Sequence, residues 1–469
     1  MLIKSFFTNS IGTLASRIFG FIRDMLSASI LGANVYSDIF FVAFKFPNLF
    51  RRIFAEGAFT QSFIPSFIKS REKSLFTYTI FIRFMAILLV FSLIVTIFSE
   101  FFAKVIAFGF DAETVELSAP FVAINFYYLP LIFCVTLFGS LLQYKHRFAV
   151  SAFSTALLNI GMIGALLLFK DADQRTIVYA LSYGVLVGGL LQVISHIIAL
   201  KMAGFYRIFK VAYAYRRRKS KALMESYQMF NTSFFHSVIG SSTPQIVSFV
   251  DTTLASFLVT GSISYLYYGN RIFQLPLALF AIALTTGIFP KITRLLKAKN
   301  DREASALLRQ GFWILAYLLT ASTLGGYMLS EEIVRLLFEH GSFSHEDTIM
   351  TGWILAMYMV GLIPFGLAKL FSLWLYAEMR QKEAAIIAIY SLIANLIFSF
   401  ALIKPMGAAG LALAGSLSAI VLLFFTIRSF GTRKFLDLLY SKKSLILVVL
   451  LVVEWAILSY VKDFINVYF

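Results

Sequence analysis

The chain has 469 residues, 59% of them hydrophobic and only 14% charged, and it carries a formal net charge of +17. So few polar groups cannot cover a water-soluble fold of that length, which excludes a soluble enzyme or binding domain and makes the bilayer the solvent. The positive balance calls for no nucleic-acid partner, because basic loops that set membrane topology and meet anionic headgroups account for it.

Apolar runs long enough to cross roughly 30 Å of hydrocarbon recur along the chain. Thirteen are expected, at 5–31, 36–68, 76–107, 116–143, 149–169, 176–200, 222–258, 262–296, 304–328, 349–375, 383–403, 407–427 and 443–461. The fold class is therefore expected to be all-α, a polytopic membrane protein. Lys and Arg concentrate in the loops 69–75, 144–148, 201–221, 291–303, 376–382 and 428–443, while the opposite loops contribute only Lys170, Arg175, Arg335, Lys404 and Lys462. That bias places the N-terminus in the cytoplasm and, after thirteen crossings, the C-terminus outside. Arg17 and Arg23 interrupt the first run and no small-residue cleavage site follows, so it is expected to stay as a helix and not to leave as a signal peptide.

A charge at mid-bilayer costs on the order of 2.5–3.5 kcal/mol on insertion scales, so ionisable residues inside these runs are the first functional candidates. The first run reads SRIFGFIRD over 16–24. Arg17 lies roughly 18 Å from either end, too deep for comfortable snorkelling, and Asp24 returns to its face seven residues on. Arg17 and Arg23 present two planar forks that can each grip a phosphate bidentately; an ion pair with a neighbouring carboxylate is the alternative for Arg23. In the second run Asp38, Lys45, Asn48, Arg52 and Glu56 fall at helical spacing on one stripe, which must face a partner helix or a wet cavity. Pro47 removes a backbone donor and Gly57 loosens the end, so this helix is expected to bend.

Cys134 is the one cysteine, which excludes an intramolecular disulfide and a cysteine metal cluster. The stretch 204–221, with RRRKSK at 216–221, reads as a basic cytoplasmic linker. Past it, Asp251 is a deep oxygen donor, and SISYLYYGNRIFQLP places Arg271 on a face with Tyr267 and Gln274 just before Pro276. Glu378, Arg380, Lys382 and Glu383 form a solvated cytoplasmic turn, and Asn395 is a second deep oxygen donor. Several cations without one anion each point to an anionic substrate. There is no P-loop, HExxH or nucleophile elbow, and no cofactor is expected.

The chain also resembles itself at an offset of about 225–236 residues. IFAEGAFTQSFIP (53–65) pairs with LFAIALTTGIFP (279–290), GFDAET (109–114) with GSFSHEDT (341–348), and LLNIGMI (157–163) with IANLIFS (393–399), which sets Asn159 against Asn395. Two six-helix lobes related by a pseudo-two-fold axis are expected, at 1–203 and 222–431, joined by the linker 204–221 and followed by one extra helix within 432–469.

SRIFGFIRD (16–24), NLFRRIFAEGAF (48–59), GSISYLYYGNRIFQLP (261–276) and FEHGSFSHEDT (338–348) together resemble the signature segments of the MurJ (MviN) family of lipid II flippases, in the multidrug/oligosaccharidyl-lipid/polysaccharide exporter superfamily. The resemblance implies a bacterial inner-membrane transporter whose lobes alternate in access. Its substrate would be undecaprenyl diphosphate carrying the disaccharide and pentapeptide of peptidoglycan, with membrane lipids and cell-wall synthesis proteins as further partners. By position it implies that Arg17, Arg23, Arg51 and Arg271 are cavity arginines, joined by Asn48, and that Asp24, Asp38 and Glu56 act at gates or hinges with Pro47, Gly57 and Gln274. The polar stripe by itself favours Arg52 over Arg51. Some members hold sodium where Asp251 and Asn395 stand, while Ser399 and Gly415 occupy positions of further oxygen ligands; sodium, protons and the membrane potential all stay open as drivers. The family usually has fourteen helices. Other readings are export of another lipid-linked oligosaccharide, such as an O-antigen precursor, or a non-transporting cell-wall scaffold; a drug exporter would need an acidic cavity.

Overall fold

The computed structural model describes residues 2–53, 58–215 and 220–468, and these form helices joined by short turns, in two compact units, 1–261 and 262–469. Among the described residues, eight helical stretches are long and apolar enough to cross a membrane, or nine if one bent pair counts as a single span. Their outward faces carry Ile87, Val90, Leu93 and Ile97 on one helix and Leu190, Ile194 and Ile197 on another, all exposed. Side chains of this kind belong against lipid.

The first unit opens with α1 (Leu2–Leu31), closed at Gly32 in the left-handed region (φ 71°), a conformation glycine adopts without a Cβ penalty. Asn34 then starts α2 (Val35–Ile53): its Oδ1 accepts from the amides of Tyr36 and Ser37, and the Ser37 hydroxyl accepts from the Asn34 amide. Pro47 lies inside α2, and the next described helix is α3 (Phe59–Lys69). Glu56 and Gly57 lie outside the described residues, as does the side chain of Arg52. The third and fourth apolar runs each break once. The third gives α4 (Lys73–Ile97) and α5 (Ser99–Ile106), and the fourth gives α6 (Ala112–Phe126) and α7 (Tyr128–Tyr144).

Helices α8 (Ala149–Leu168) and α9 (Gln174–Met202) approach until backbones touch: a Cβ on Gly161 would stand 2.7 Å from the Gly184 carbonyl oxygen, and one on Gly188 2.7 Å from Leu158 Cα. Small residues permit such contact where apolar burial gives no advantage over lipid. The linker contains a helix, α10 (Tyr206–Ala214), whose Phe209 packs on Phe81 and Phe138; residues 216–219 lie outside the described set.

Next comes α11 (Lys221–Ala255), which internal similarity assigns to the second half. In the structure it packs on α2, α3 and α4, and the compact unit ends after Gly261. The cause is aromatic. Phe230 and Phe234 are buried among Phe59, Phe63, Phe76 and Phe84 with centroids 5.5–6.5 Å apart, and rings at such spacing add to the area they bury.

The second unit begins with α12 (Ser262–Pro276), a π-helical stretch (Leu277–Ile282) directly after Pro276, and α13 (Ala283–Lys297). Then α14 (Asp301–Met328) turns by 78° into α15 (Ser330–Phe338). A capping box of Ser344 and Asp347 opens α16 (His345–Val360), and α17 (Leu362–Ala377) follows. The continuous helical run α18 (Gln381–Phe430) folds back at Gly407 (φ 57°). Its two legs are side by side, with the Ser391 hydroxyl donating to the Ser418 carbonyl at 2.9 Å, so the expected runs 383–403 and 407–427 are these legs. Arg380 closes the turn before α18 by donating to Glu378, Glu383 and the Ser429 carbonyl. After α19 (Thr432–Leu439), α20 (Lys442–Tyr468) lies along α14, held by Tyr317 donating to the Lys443 carbonyl and Lys462 to the Met328 carbonyl, each 2.9 Å.

Candidate functional site

In the first unit α1 packs along α8, and this contact organises the deepest charges. Arg23 is buried. Its Nε and Nη2 donate to Asp24 Oδ1 at 3.0 and 2.5 Å, and its Nη1 donates to Asn159 Oδ1 at 3.0 Å. Asn159 in turn donates to the Ser16 carbonyl at 3.2 Å, one residue before Arg17. A buried charge persists only when paired and hydrogen-bonded, and this triad meets that condition inside α1 and α8. Asn159 enters the site from 136 residues away; the one sequence signal for it is its pairing with Asn395 in the internal repeat. Arg17, two turns earlier on α1, is exposed, and among the described residues it has no ion pair.

Helix α2 supplies the next polar groups. Asp38 is buried and accepts from the Gly261 amide at 2.7 Å, fixing the last residue of the first unit. Lys45 donates to Ser248 of α11 at 2.8 Å. Pro47 is buried, and the Oδ1 of the next residue, Asn48, accepts from Nε and Nη2 of Arg51, one turn on, at 3.1 and 3.0 Å. This grip aims Arg51 at a cavity of about 220 Å³ walled by α3, α7, α8 and α9. Asp251, on α11, has one carboxylate oxygen buried with no hydrogen-bond partner among the described residues.

In the second unit, α12 carries Arg271 half-buried. Its Nη2 donates to the Tyr267 hydroxyl at 2.7 Å and its guanidinium sits 4.8 Å from the Tyr267 ring centroid. Gln274 donates to Asn270 one turn back. Lys369 of α17 is exposed in the middle of an apolar helix, a cation that the cost of buried charge would have singled out and that the sequence reading passed over. On α18, Asn395 and Ser399 stand one turn apart; both are buried, and neither the amide atoms nor the hydroxyl has a hydrogen-bond partner among the described residues. Among those residues no group of three or more His, Cys, Asp or Glu is placed to hold a metal ion.

Such an arrangement can hold and pass an anion, with cations at several depths, two of them braced by amides. The family model for "Lipid II flippase MurJ" matches residues 27–469. A protein named probable lipid II flippase MurJ from Helicobacter pylori is 48% identical over 434 residues, covering 91% of this chain and 94% of the relative. One so named from Rhizobium meliloti is 32% identical, covering 91% of this chain and 80% of its own length. Among solved structures, a lipid II flippase MurJ in an inward closed conformation matches with a TM-score of 0.80 at 26% identity, covering 97% of this chain and 99% of that one. An inward-facing multidrug resistance transporter of the MATE family, at 12% identity and a TM-score of 0.68, shares the fold over 89% of this chain and 94% of its own.

Proposed function

Since the chain belongs to the lipid II flippase MurJ family, we propose that its membrane-embedded arginines carry the diphosphate of lipid II across the bilayer while the polyprenyl tail stays in lipid. The chain is a lipid II flippase, a transporter and not an enzyme. No covalent step is needed. The physical task is to shield a charged, sugar-bearing headgroup from hydrocarbon, and a polar cavity does so. The observation that carries the reading is Arg17: an exposed guanidinium deep in an apolar helix, beside the neutralised Arg23–Asp24 pair, is a cation whose counter-ion is the cargo.

In this reading the N-terminus and the basic turns are cytoplasmic, and lipid II enters from the cytoplasmic leaflet and leaves to the outer one by alternating access. Asp38, which holds the Gly261 amide at the end of the first unit, and Pro47, inside α2, serve as hinge points. An inside-negative potential drives the anion outward, contributing about 2.3 kcal/mol per charge per 100 mV. The orphaned oxygens of Asn395 and Ser399 are the kind of donor a hard cation takes, and sodium held there would add to the bias on the second unit. Sodium-dependent uptake by proteoliposomes that is unchanged in Asn395→Leu would remove that part of the proposal.

The test of the whole is lipid II accessibility in cells depleted of the protein. The expected result is loss of outer-leaflet lipid II while synthesis continues. Undiminished outer-leaflet lipid II would favour a scaffold.

A further inference from the structure

Asn159 is 3% exposed where α8 lies along α1, and its amide is used at both ends. The Oδ1 accepts from Arg23 Nη1 at 3.0 Å, and the Nδ2 donates to the Ser16 carbonyl at 3.2 Å. Only the first of these serves the buried charge. Arg23 already holds Asp24 through two donors, whereas the Ser16 carbonyl lies two turns away, next to Arg17. In an α-helix that carbonyl already accepts from the amide four residues on. The second bond therefore ties the main chain of α1 to α8 at a point where helix formation did not require a partner.

The seam around Asn159 is shaped for this grip. Gly12, Ser16, Gly20 and Arg23 fall on one face of α1, and Ala152, Asn159 and Met162 on one face of α8. Ser16 Oγ donates to the Ala152 carbonyl at 3.1 Å, and Arg23 Nη1 lies 3.7 Å from Met162 Sδ. A Cβ on Gly20 would stand 3.3 Å from Asn159 Nδ2, so glycine there leaves the amide its place. Arg17 is one residue on from Ser16, about 100° round the helix, and exposed.

We propose that Asn159 is a positioning residue for Arg17: by holding Arg23 with one end of its amide and the Ser16 carbonyl with the other, it fixes the rotation of α1 on α8 and so the direction in which Arg17 meets the anionic headgroup. The inference rests on the role given to Arg17 above. A fork that grips an oxyanion must be placed to within roughly 0.5 Å. Turning a helix by about 10° shifts a group roughly 6 Å from its axis by about 1 Å. An apolar residue at 159 would fill the seam without setting that angle. Asn395, which the internal repeat sets against Asn159, is also buried, but neither of its amide atoms has a hydrogen-bond partner among the described residues. The same amide thus takes up an arginine and a carbonyl only in the first unit.

The test uses the full chain in proteoliposomes with fluorescent lipid II, comparing wild type, Asn159→Leu, Arg17→Lys and the double variant, with melting temperature reporting folding. Asn159→Leu is expected to slow transport roughly tenfold, as a misplacement of about 1 Å can. In the Arg17→Lys background, where the fork is already lost, the same change should cost less than about twofold. A role confined to stability would lower transport by the same factor in both backgrounds. Gly20→Ala probes the same bond without touching a charge, because its Cβ displaces the Asn159 amide while alanine is the better helix former. Transport should fall several-fold with an unchanged or raised melting temperature, and it decides the matter if Asn159→Leu does not fold. Equal losses in the two backgrounds, or wild-type transport in both Asn159→Leu and Gly20→Ala, overturn the proposal. Failure of the wild-type protein to move lipid II overturns the flippase reading itself.

Discussion

In the first unit buried Arg23 and half-buried Lys45 and Arg51 are braced by side chains of the same unit: Arg23 by Asp24 and Asn159, Lys45 by Ser248, Arg51 by Asn48. The second unit places Arg271 on the face of Tyr267, leaves Lys369 exposed, and buries the oxygens of Asn395 and Ser399, which have no hydrogen-bond partner among the described residues. Halves that resemble each other in sequence have thus diverged in charge. A fixed, hydrogen-bonded guanidinium presents a defined geometry to an oxyanion, while a cation resting on an aromatic ring is held by a softer, less directional attraction. The difference suits a division of labour in which the first unit recognises the headgroup and the second follows the change of state.

The strongest way to break this contrast is to unpair Arg23. Asp24→Leu leaves a buried guanidinium without its carboxylate, and the expected cost is about 3–5 kcal/mol in thermal unfolding, mostly recovered in the double variant Arg23→Met/Asp24→Leu. A single variant as stable as the wild type would show that the triad is not structural. Next in size is Arg17→Lys, which keeps the charge and loses the fork. Transport should fall roughly tenfold, equal to about 1.4 kcal/mol, with the melting temperature unchanged because the side chain is exposed. Normal transport there would refute the claim of bidentate geometry. Tyr267→Leu should matter less, costing Arg271 about 0.5–2 kcal/mol of attraction and slowing transport a few-fold; a loss as large as that of Arg17→Lys would erase the proposed difference between the units.

The smallest effect concerns acid. Asp111 and Asp173 cap α6 and α9 of the first unit, and hydrogen bonds from Thr114 and Thr176 hold both carboxyls below their ordinary value of 3.8. Because the folded value is the lower one, this stabilisation is full above about pH 4 and is lost as pH falls through the folded value. In the second unit Asn300, which does not titrate, caps α14. A slight acid limb in the melting curve should therefore disappear in Asp111→Asn/Asp173→Asn, and identical acid limbs with and without these carboxyls would contradict the assignment.

Much of the architecture was readable beforehand because its causes are local. Long apolar runs become helices in lipid, Gly407 and Pro405 separate the legs of α18, and a charge inside such a run is costly wherever the run packs. The same rule would have flagged Lys369. What escaped the sequence depends on contacts between distant segments. Asn159 reaches Arg23 only because α8 lies along α1, and α11 joins the first unit because Phe230 and Phe234 meet rings from α3 and α4. The cavity before Arg51 is built from helices α2, α3, α7, α8 and α9, whose hydroxyls are individually unremarked. The break at Phe98 likewise follows no nearby proline or glycine, whereas the one at Tyr127 precedes Pro130, which has no amide to donate to the Phe126 carbonyl.

The central claim is that the cations of the first unit carry the anionic headgroup, and it is tested most directly by reconstituting the purified protein in liposomes and following fluorescent lipid II to the far leaflet under a set potential. Wild-type protein should accelerate the movement, faster when the potential drives the anion in the exporting direction, and Arg17→Gln at equal density should abolish the acceleration. Equal rates for Arg17→Gln and wild type would contradict the account.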